Sequence, residues 1–171
     1  MDSKKQEITI RKAITDDAER INSAAKVVFT KTFTPVIGKE QTAYMLERMY
    51  DINGLKQQIS EGKDFFLAED REGNICGYMS CFPKDDGIFR IEKLYVMPQC
   101  QKTGLGKRFF DYAKTLAKGL NPKPKCLQLN VNRDNPAVDF YLHIGMEIAS
   151  QGDFPFGGGY FMNDYIMEYG L

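Results

Sequence analysis

The segment Leu94-Tyr-Val-Met-Pro-Gln-Cys-Gln-Lys-Thr-Gly-Leu-Gly-Lys107 constrains this chain more than any other. A buried-type strand ends at Val96, and Pro98 blocks its continuation. The turn Gln101-Lys-Thr-Gly104-Leu-Gly106 then runs straight into an amphipathic helix with the apolar stripe Leu105, Phe109, Tyr112, Leu116 and Leu120. A helix start leaves about four backbone N–H groups without intrahelical partners, and its macrodipole adds roughly half an elementary charge. Two glycines let a bulky anion approach that backbone closely. Lys102 and Lys107 add mobile positive charge. Strand, Gly-x-Gly and helix together read as a phosphate cradle, although an ordinary strand-to-helix turn has the same outline. Two nucleotide motifs fail on spacing. A P-loop needs a Ser or Thr after the lysine, and none follows Lys107. A dinucleotide fingerprint needs a third glycine in an early βαβ unit, and this turn lies past mid-chain.

Periodicity orders the remaining elements. Residues 7–11 alternate as a first strand, and Asp16 and Asp17 offer caps for a helix carrying Ala18, Ile21, Ala25, Val28 and Phe29, which Phe33-Thr-Pro35 stops. Helical stretches follow at residues 39–50 and, briefly, 55–59. Strands at 65–69 and 75–82 flank the turn Asp70–Asn74, and a third strand spans 88–96. After the helix at 104–118 come a strand at 126–131, a short helix opened by Asn135-Pro136, and closing strands at 146–150 and 160–169. Hairpins combined with one long crossover helix imply an α/β (α+β mixed) fold. Its core is a central mixed, twisted sheet of about seven strands flanked by about four helices.

At 171 residues the chain fits a single domain, 1–171. Lys+Arg and Asp+Glu both number 23, so a nucleic-acid protein relying on a strongly basic field is excluded. No apolar run approaches the ~20 residues of a membrane span. The polar start Met-Asp-Ser-Lys-Lys-Gln-Glu has no signal-peptide core, so a cytoplasmic location is expected. Cys76, Cys81, Cys100 and Cys126 match no zinc or redox spacing and read as inert thiols in a reducing compartment. His143 is the only histidine, and no metal site is expected.

A second block, Asn135-Pro-Ala137-Val-Asp-Phe140-Tyr141-Leu-His-Ile-Gly145-Met146, stands at the proper distance from Gln101-x-x-Gly104-x-Gly106. Together they resemble the GNAT (GCN5-related) N-acetyltransferase family. The first is similar to its pyrophosphate-binding motif. The second is similar to its Asn-x-x-Ala-x-x-Phe-Tyr-x-x-x-Gly-Phe segment, with Met146 in place of the usual Phe. The resemblance covers nearly the whole chain and implies the GNAT fold, in which acetyl-CoA wedges between two splayed central parallel strands, here 88–96 and 126–131. It implies that backbone groups of Leu94, Tyr95 and Val96 pair with the pantetheine arm like an added strand. The amides of Gln101, Lys102, Thr103, Gly104, Leu105, Gly106 and Lys107 would hold the pyrophosphate. Asn130 and Asn135 fall where the family often contacts the cofactor arm, and Asn135 is also a good helix N-cap.

The reaction implied is direct attack of a neutral amine on a thioester. Tyr141 matches the family's general acid: a phenol of pKa ~10 can protonate, or hydrogen-bond, a departing thiolate whose thiol has a pKa of ~8.5. An alkylammonium of pKa ~10.4 is neutral in only about one molecule in a few thousand at pH 7, so a proton acceptor is needed. Glu92, two residues before Leu94 and on its face of the strand, is the candidate, with pairing to Lys93 or Arg90 as its other role. The acceptor site would draw on Phe29, Phe33, Tyr44, Glu47, Tyr50 and Asp51, and on Asp153, Phe154, Phe156, Tyr160 and Asp164 around a mobile Gly157–Gly159 loop able to act as a lid. Phe33-Thr-Pro35 and the ending Met162-Asn-Asp-Tyr-Ile-Met-Glu168 look like a PaiA-type branch of spermine/spermidine acetyltransferases, which makes a polyamine the leading acceptor. A peptide or protein N-terminus, an amino acid, an aminoglycoside or other small amine, and a non-catalytic acetyl-CoA sensor stay open, as does a homodimer.

Overall fold

The structure is a computed structural model and describes residues 7–171, so most of the polar N-terminal segment discussed above lies outside it. Seven strands form one sheet in the order β1-β2-β3-β4-β5-β7-β6. They are β1 (Thr9–Lys12), β2 (Asp64–Glu69), β3 (Ile75–Lys84), β4 (Ile88–Val96), β5 (Cys126–Asn132), β6 (Glu147–Gly157) and β7 (Tyr160–Gly170). Five α-helices cover it: α1 (Ala18–Ile37), α2 (Lys39–Met49), α3 (Ile52–Ser60), α4 (Leu105–Lys118) and α5 (Ala137–His143). Only β4 and β5 pair in parallel; every other pairing is antiparallel. That follows from α4, the one crossover between neighbouring strands.

The alternation of each strand feeds two cores. On one face Phe66, Met79, Phe89, Ile91, Leu127, Leu129 and Met167 pack under α4 and α5, which contribute Leu105, Phe109, Phe110, Ala113, Ala117 and Tyr141. On the other, Phe65, Leu67 and Tyr78 receive Ile21, Ala25, Val28, Phe29 and Leu55 from α1 and α3. Each fully buried large side chain contributes about 1.5–3 kcal/mol, enough for Leu105, Phe109 and Phe110 to pin α4 to the sheet.

β4 is bulged. Ser80 of β3 opposes Lys93 while Cys81 opposes Ile91, which leaves Glu92 as the extra residue. The bulge reverses the strand's facing. Phe89 and Ile91 point to the α4/α5 core before it; Leu94 and Val96 point there after it, and Tyr95 joins the α1 core. Glu92 therefore does not share the face of Leu94, contrary to the expectation from a regular strand. The parallel ladder with β5 also ends at this place: it joins Ile88, Phe89 and Arg90 to Cys126, Leu127 and Gln128 and goes no further. From there the two central strands splay.

Other departures from the sequence reading have local causes. The brief helical stretch expected at 55–59 is α3, which starts earlier, at Ile52, because Asp51 caps it: its carboxylate accepts from the Gly54 amide at 2.9 Å. Pro35 does not stop α1. It sits in the last turn, where its missing N–H forgoes one bond, and the helix ends at Gly38, whose φ of 83° only glycine adopts cheaply. β6 runs to Gly157, so the expected mobile loop is a tight hairpin turn at Gly157–Gly159 packed on Tyr44; a Cβ on Gly158 would lie 2.5 Å from the Tyr44 ring. Asp17 does not cap α1 with its side chain. Its carboxylate instead takes a fork from Arg11 at 2.8 and 2.9 Å and the Ile14 amide at 2.8 Å.

Those bonds from Arg11 hold the Asp17 carboxyl down at about 2. A depressed folded-state value stabilises the fold above the unfolded value of about 3.9 and loses that contribution as the pH falls toward 2. Urea unfolding of Asp17→Asn at pH 7 should show a loss of about 2 kcal/mol. Between pH 4 and pH 2 the variant should lose stability less steeply than the parent.

Candidate active site

Beyond Arg90 and Gln128 the facing edges of β4 and β5 have no ladder partner. The other edge of β4 stays paired, with Leu94, Tyr95 and Val96 opposite Met79, Tyr78 and Gly77. Gly77 is required here, since a Cβ would lie 2.6 Å from the Tyr95 carbonyl. The splay opens a cleft of about 1230 Å³ lined by Leu94, Tyr95 and Val96 on β4 and by Leu129 to Asn132 on β5.

One end of the cleft is the turn into α4. Lys102 and Gly104 are left-handed (φ 64° and 82°), and no side chain caps α4. The first amides of this helix therefore face a glycine-lined opening without a protein acceptor. Gly104, Leu105, Gly106, Gln101, Lys102 and Lys107 all line the cleft. Thr103 does not: its hydroxyl donates to the Cys100 carbonyl at 2.6 Å and shapes the turn from behind. Gln101 turns back, its side-chain amide reaching the Val96 carbonyl at 3.4 Å. Lys107 lies 2.7 Å from Asp111 in an exposed pair one helical turn apart. Gly106 serves close packing, with a Cβ placed 3.1 Å from the ring of Phe140.

Phe140 ties that turn to Tyr141, whose ring lies edge-on to it at 5.3 Å between centroids. Asn135 opens α5, its side-chain oxygen accepting from the Ala137 amide at 2.9 Å, and Asn135 and Asn130 both line the cleft. Tyr141 is 6% exposed and also lines it. Burial alone pushes its hydroxyl above the ordinary phenol range, so it stays a proton donor across physiological pH.

The far half of the cleft lies on the opposite face of the sheet. Arg90, Gln128, Asn130, Asn132 and Asp164 share this face, and Lys93, Gln128, Asn132 and Asp164 are buried there. Glu92 lines it too but is 3.4 Å from the Lys93 ammonium and 3.8 Å from that of Lys63. Asp164 is 6% exposed, accepts only from the Asn130 side-chain amide at 3.4 Å, and has its carboxyl raised by burial. The sequence marks Asp164 only as one of several acids near the acceptor. Its burial follows from β7 lying between β5 and β6, which no local pattern reveals. Met45, Met49, Phe156, Phe161 and Met162 form the apolar wall.

Several expected acceptor residues lie elsewhere. Tyr50 is fully buried, its hydroxyl bonded to that of Tyr78 at 2.9 Å. Asp51 caps α3, and Asp153 pairs with Arg133 at 2.8 Å. Cys76, Cys81 and Cys100 are buried free thiols, with burial pushing Cys76 and Cys81 up to about 12. Among the described residues no group of acids, cysteines and histidine is arranged to hold a metal ion, and no helix is long and apolar enough to cross a membrane.

The sheet is thus opened between two parallel strands, beside an uncapped, glycine-flanked helix start. Residues 33–153 match the acetyltransferase (GNAT) domain, and the chain belongs to that family of acetyl-CoA-dependent acyltransferases. It is 27% identical over 150 residues to an uncharacterized N-acetyltransferase in the pepI 3′ region of Lactobacillus delbrueckii subsp. lactis, covering 82% of this chain and 85% of that one. In fold it is similar to the PaiA N-acetyltransferase of Thermoplasma acidophilum in complex with coenzyme A (TM-score 0.77, 20% identity, 96% of this chain and 99% of that one). It is also similar to NAA60 of Arabidopsis thaliana in complex with a bisubstrate analogue (TM-score 0.71, 17% identity, 96% and 98%).

The burial of Tyr141 makes a spectroscopic prediction. In an alkaline absorbance titration, the parent minus Tyr141→Phe should show no phenolate signal at pH ~10, where an ordinary tyrosine is half ionised. A difference signal there would place the hydroxyl in water.

Proposed function

We propose that this enzyme transfers the acetyl group of acetyl-CoA to a primary amine by direct attack in a ternary complex. The observation that carries this is the single cleft running through the sheet from the uncapped start of α4, past Tyr141, to a buried polar face. When bound, acetyl-CoA supplies a thioester, an acyl group already activated toward amines. The residues present fit it. The unpaired edge of Leu94–Val96 offers donors and acceptors to an amide-bearing arm. The amides from Gln101 to Lys107 offer an anion site, with Thr103 acting through its backbone. A backbone N–H near Val96 polarises the carbonyl under attack.

Tyr141 gives the departing sulfur a hydrogen bond and then its proton. Its raised pKa weakens it as an acid in water, yet a thiolate formed in the same buried place is raised too, so the transfer is not opposed by the full difference. The ammonium's proton leaves on the opposite face. Glu92 takes it, directly or through water, in the reading made from sequence. Asp164 offers a second route, favoured by its burial and by its having, among the described residues, no lysine partner such as holds Glu92. The expectation of a polyamine draws on the likeness to the PaiA-type branch and the aromatic wall, and an acceptor panel that includes spermidine tests it.

Changing Tyr141 to Phe should lower kcat by about 10²-fold or more while leaving acetyl-CoA affinity within a few-fold. An unaltered kcat in rapid thiol-release assays would remove the acid role. Gly104→Ala places a side chain in a left-handed position, costing about 1–2 kcal/mol locally. Calorimetry should show acetyl-CoA binding weakened by about tenfold. Unchanged affinity would mean that this turn does not hold the diphosphate.

A further inference from the structure

The acceptor half of the cleft holds two opposite charges, a half-buried Arg90 and a buried Asp164, that do not pair with each other. Arg90 projects from β4 just before the bulge, and its guanidinium donates to the side-chain oxygen of Gln128 at 3.1 Å. Asp164 projects from β7 on the same face, with the Asn130 amide as its hydrogen-bond partner. Each feels the other's charge, and burial lowers the pKa of Arg90 as it raises that of Asp164. Among the described residues, neither belongs to an ion pair, and the neighbouring charges are spoken for: Lys93 by Glu92, Arg133 by Asp153. Glu92 also favours the charge of Arg90 and Arg133 that of Asp164, but from beyond ion-pair distance, and a desolvated charge whose hydrogen-bond partner is a neutral amide keeps part of its desolvation penalty. The arrangement is complete only when something of opposite polarity bridges the gap.

We infer that the acceptor is a zwitterion, an amino acid with an apolar side chain, whose carboxylate seats at Arg90 and whose ammonium faces Asp164. This rests on the acyl-transfer reading above and names the substrate class of that same site. Charge balance supports it. Among the strand residues that line the cleft, Arg90 and Lys93 offset Glu92 and Asp164, so a net-neutral zwitterion preserves that balance. A polyamine would add several positive charges and leave Arg90 unpaired. The planar fork of an arginine matches a carboxylate in geometry as well as charge. The wall of Met45, Met49, Phe156 and Met162 suits an apolar side chain. The side-chain oxygen of Gln58, buried without a partner at the edge of the same cleft, is a further acceptor for an ammonium N–H.

The test compares L-methionine, L-leucine and L-phenylalanine with the carboxamide and the decarboxylated amine of each, and with spermidine, on the unmodified enzyme. Thiol release gives kcat/KM, and calorimetry on the enzyme saturated with coenzyme A gives acceptor affinity without turnover. At least one acid should exceed its own amide and amine by about tenfold or more in both readouts, as loss of a charge-assisted bond requires. Arg90→Gln should lower turnover of that acid about tenfold more than turnover of its amide. Acids no better than their amides, turnover of none of the acids, spermidine outpacing them all, or equal losses in Arg90→Gln would overturn the inference. Failure of acetyl-CoA itself to bind would instead overturn the acyl-transfer reading, which separates the two.

Discussion

The site exists because β4 and β5 stop bonding to each other three pairs into their parallel ladder. The bulge at Glu92 turns β4 just there, and β5 stays with β7 along its whole length. Two strand edges with unpaired polar groups then face one another across a gap. Leaving such groups dry and unbonded is costly, so the gap must hold water or a ligand that bonds as a strand does. The rest of the protein holds that opening in shape. Leu105, Phe109 and Phe110 anchor α4 against the sheet, and Gly77 lets β3 follow β4 to its end.

The gap also joins two different environments. On the α4/α5 face, Tyr141 sits in an apolar core and keeps its proton. On the other, Arg90, Asn130, Asn132 and Asp164 make a polar floor over which no helix closes an apolar layer. The proposed acid, Tyr141, and the proposed proton acceptors are thus separated by the sheet and meet through the splay. Phe140, packed on Gly106 and edge-on to Tyr141, fixes Tyr141 relative to the turn that opens α4, the turn proposed to hold the diphosphate.

What sequence made legible was the punctuated part. Pro98, Gly104 and Gly106 mark a turn whose backbone conformations few other residues adopt, and Asn135-Pro136 marks the start of α5 by its own capping chemistry. The bulge was not legible. One extra residue in a strand alters facing without altering composition, and its only trace is the adjacent charged pair Glu92-Lys93 in an otherwise alternating run. That is why Glu92 was assigned to the face of Leu94. Asp164 is legible as one acid among several, but that it shares a face with Arg90 is not: the two are far apart in sequence and come together only because β7 lies beside β5. Three consecutive glycines do not by themselves show that the turn packs on Tyr44, which their missing side chains allow.

Amide hydrogen exchange with and without coenzyme A tests the central claim most directly, because it reads the backbone itself. The account predicts added protection at Leu94–Val96 and across residues 101–107, with the β3 strand little changed. Exchange in both segments that is indifferent to saturating coenzyme A would contradict it.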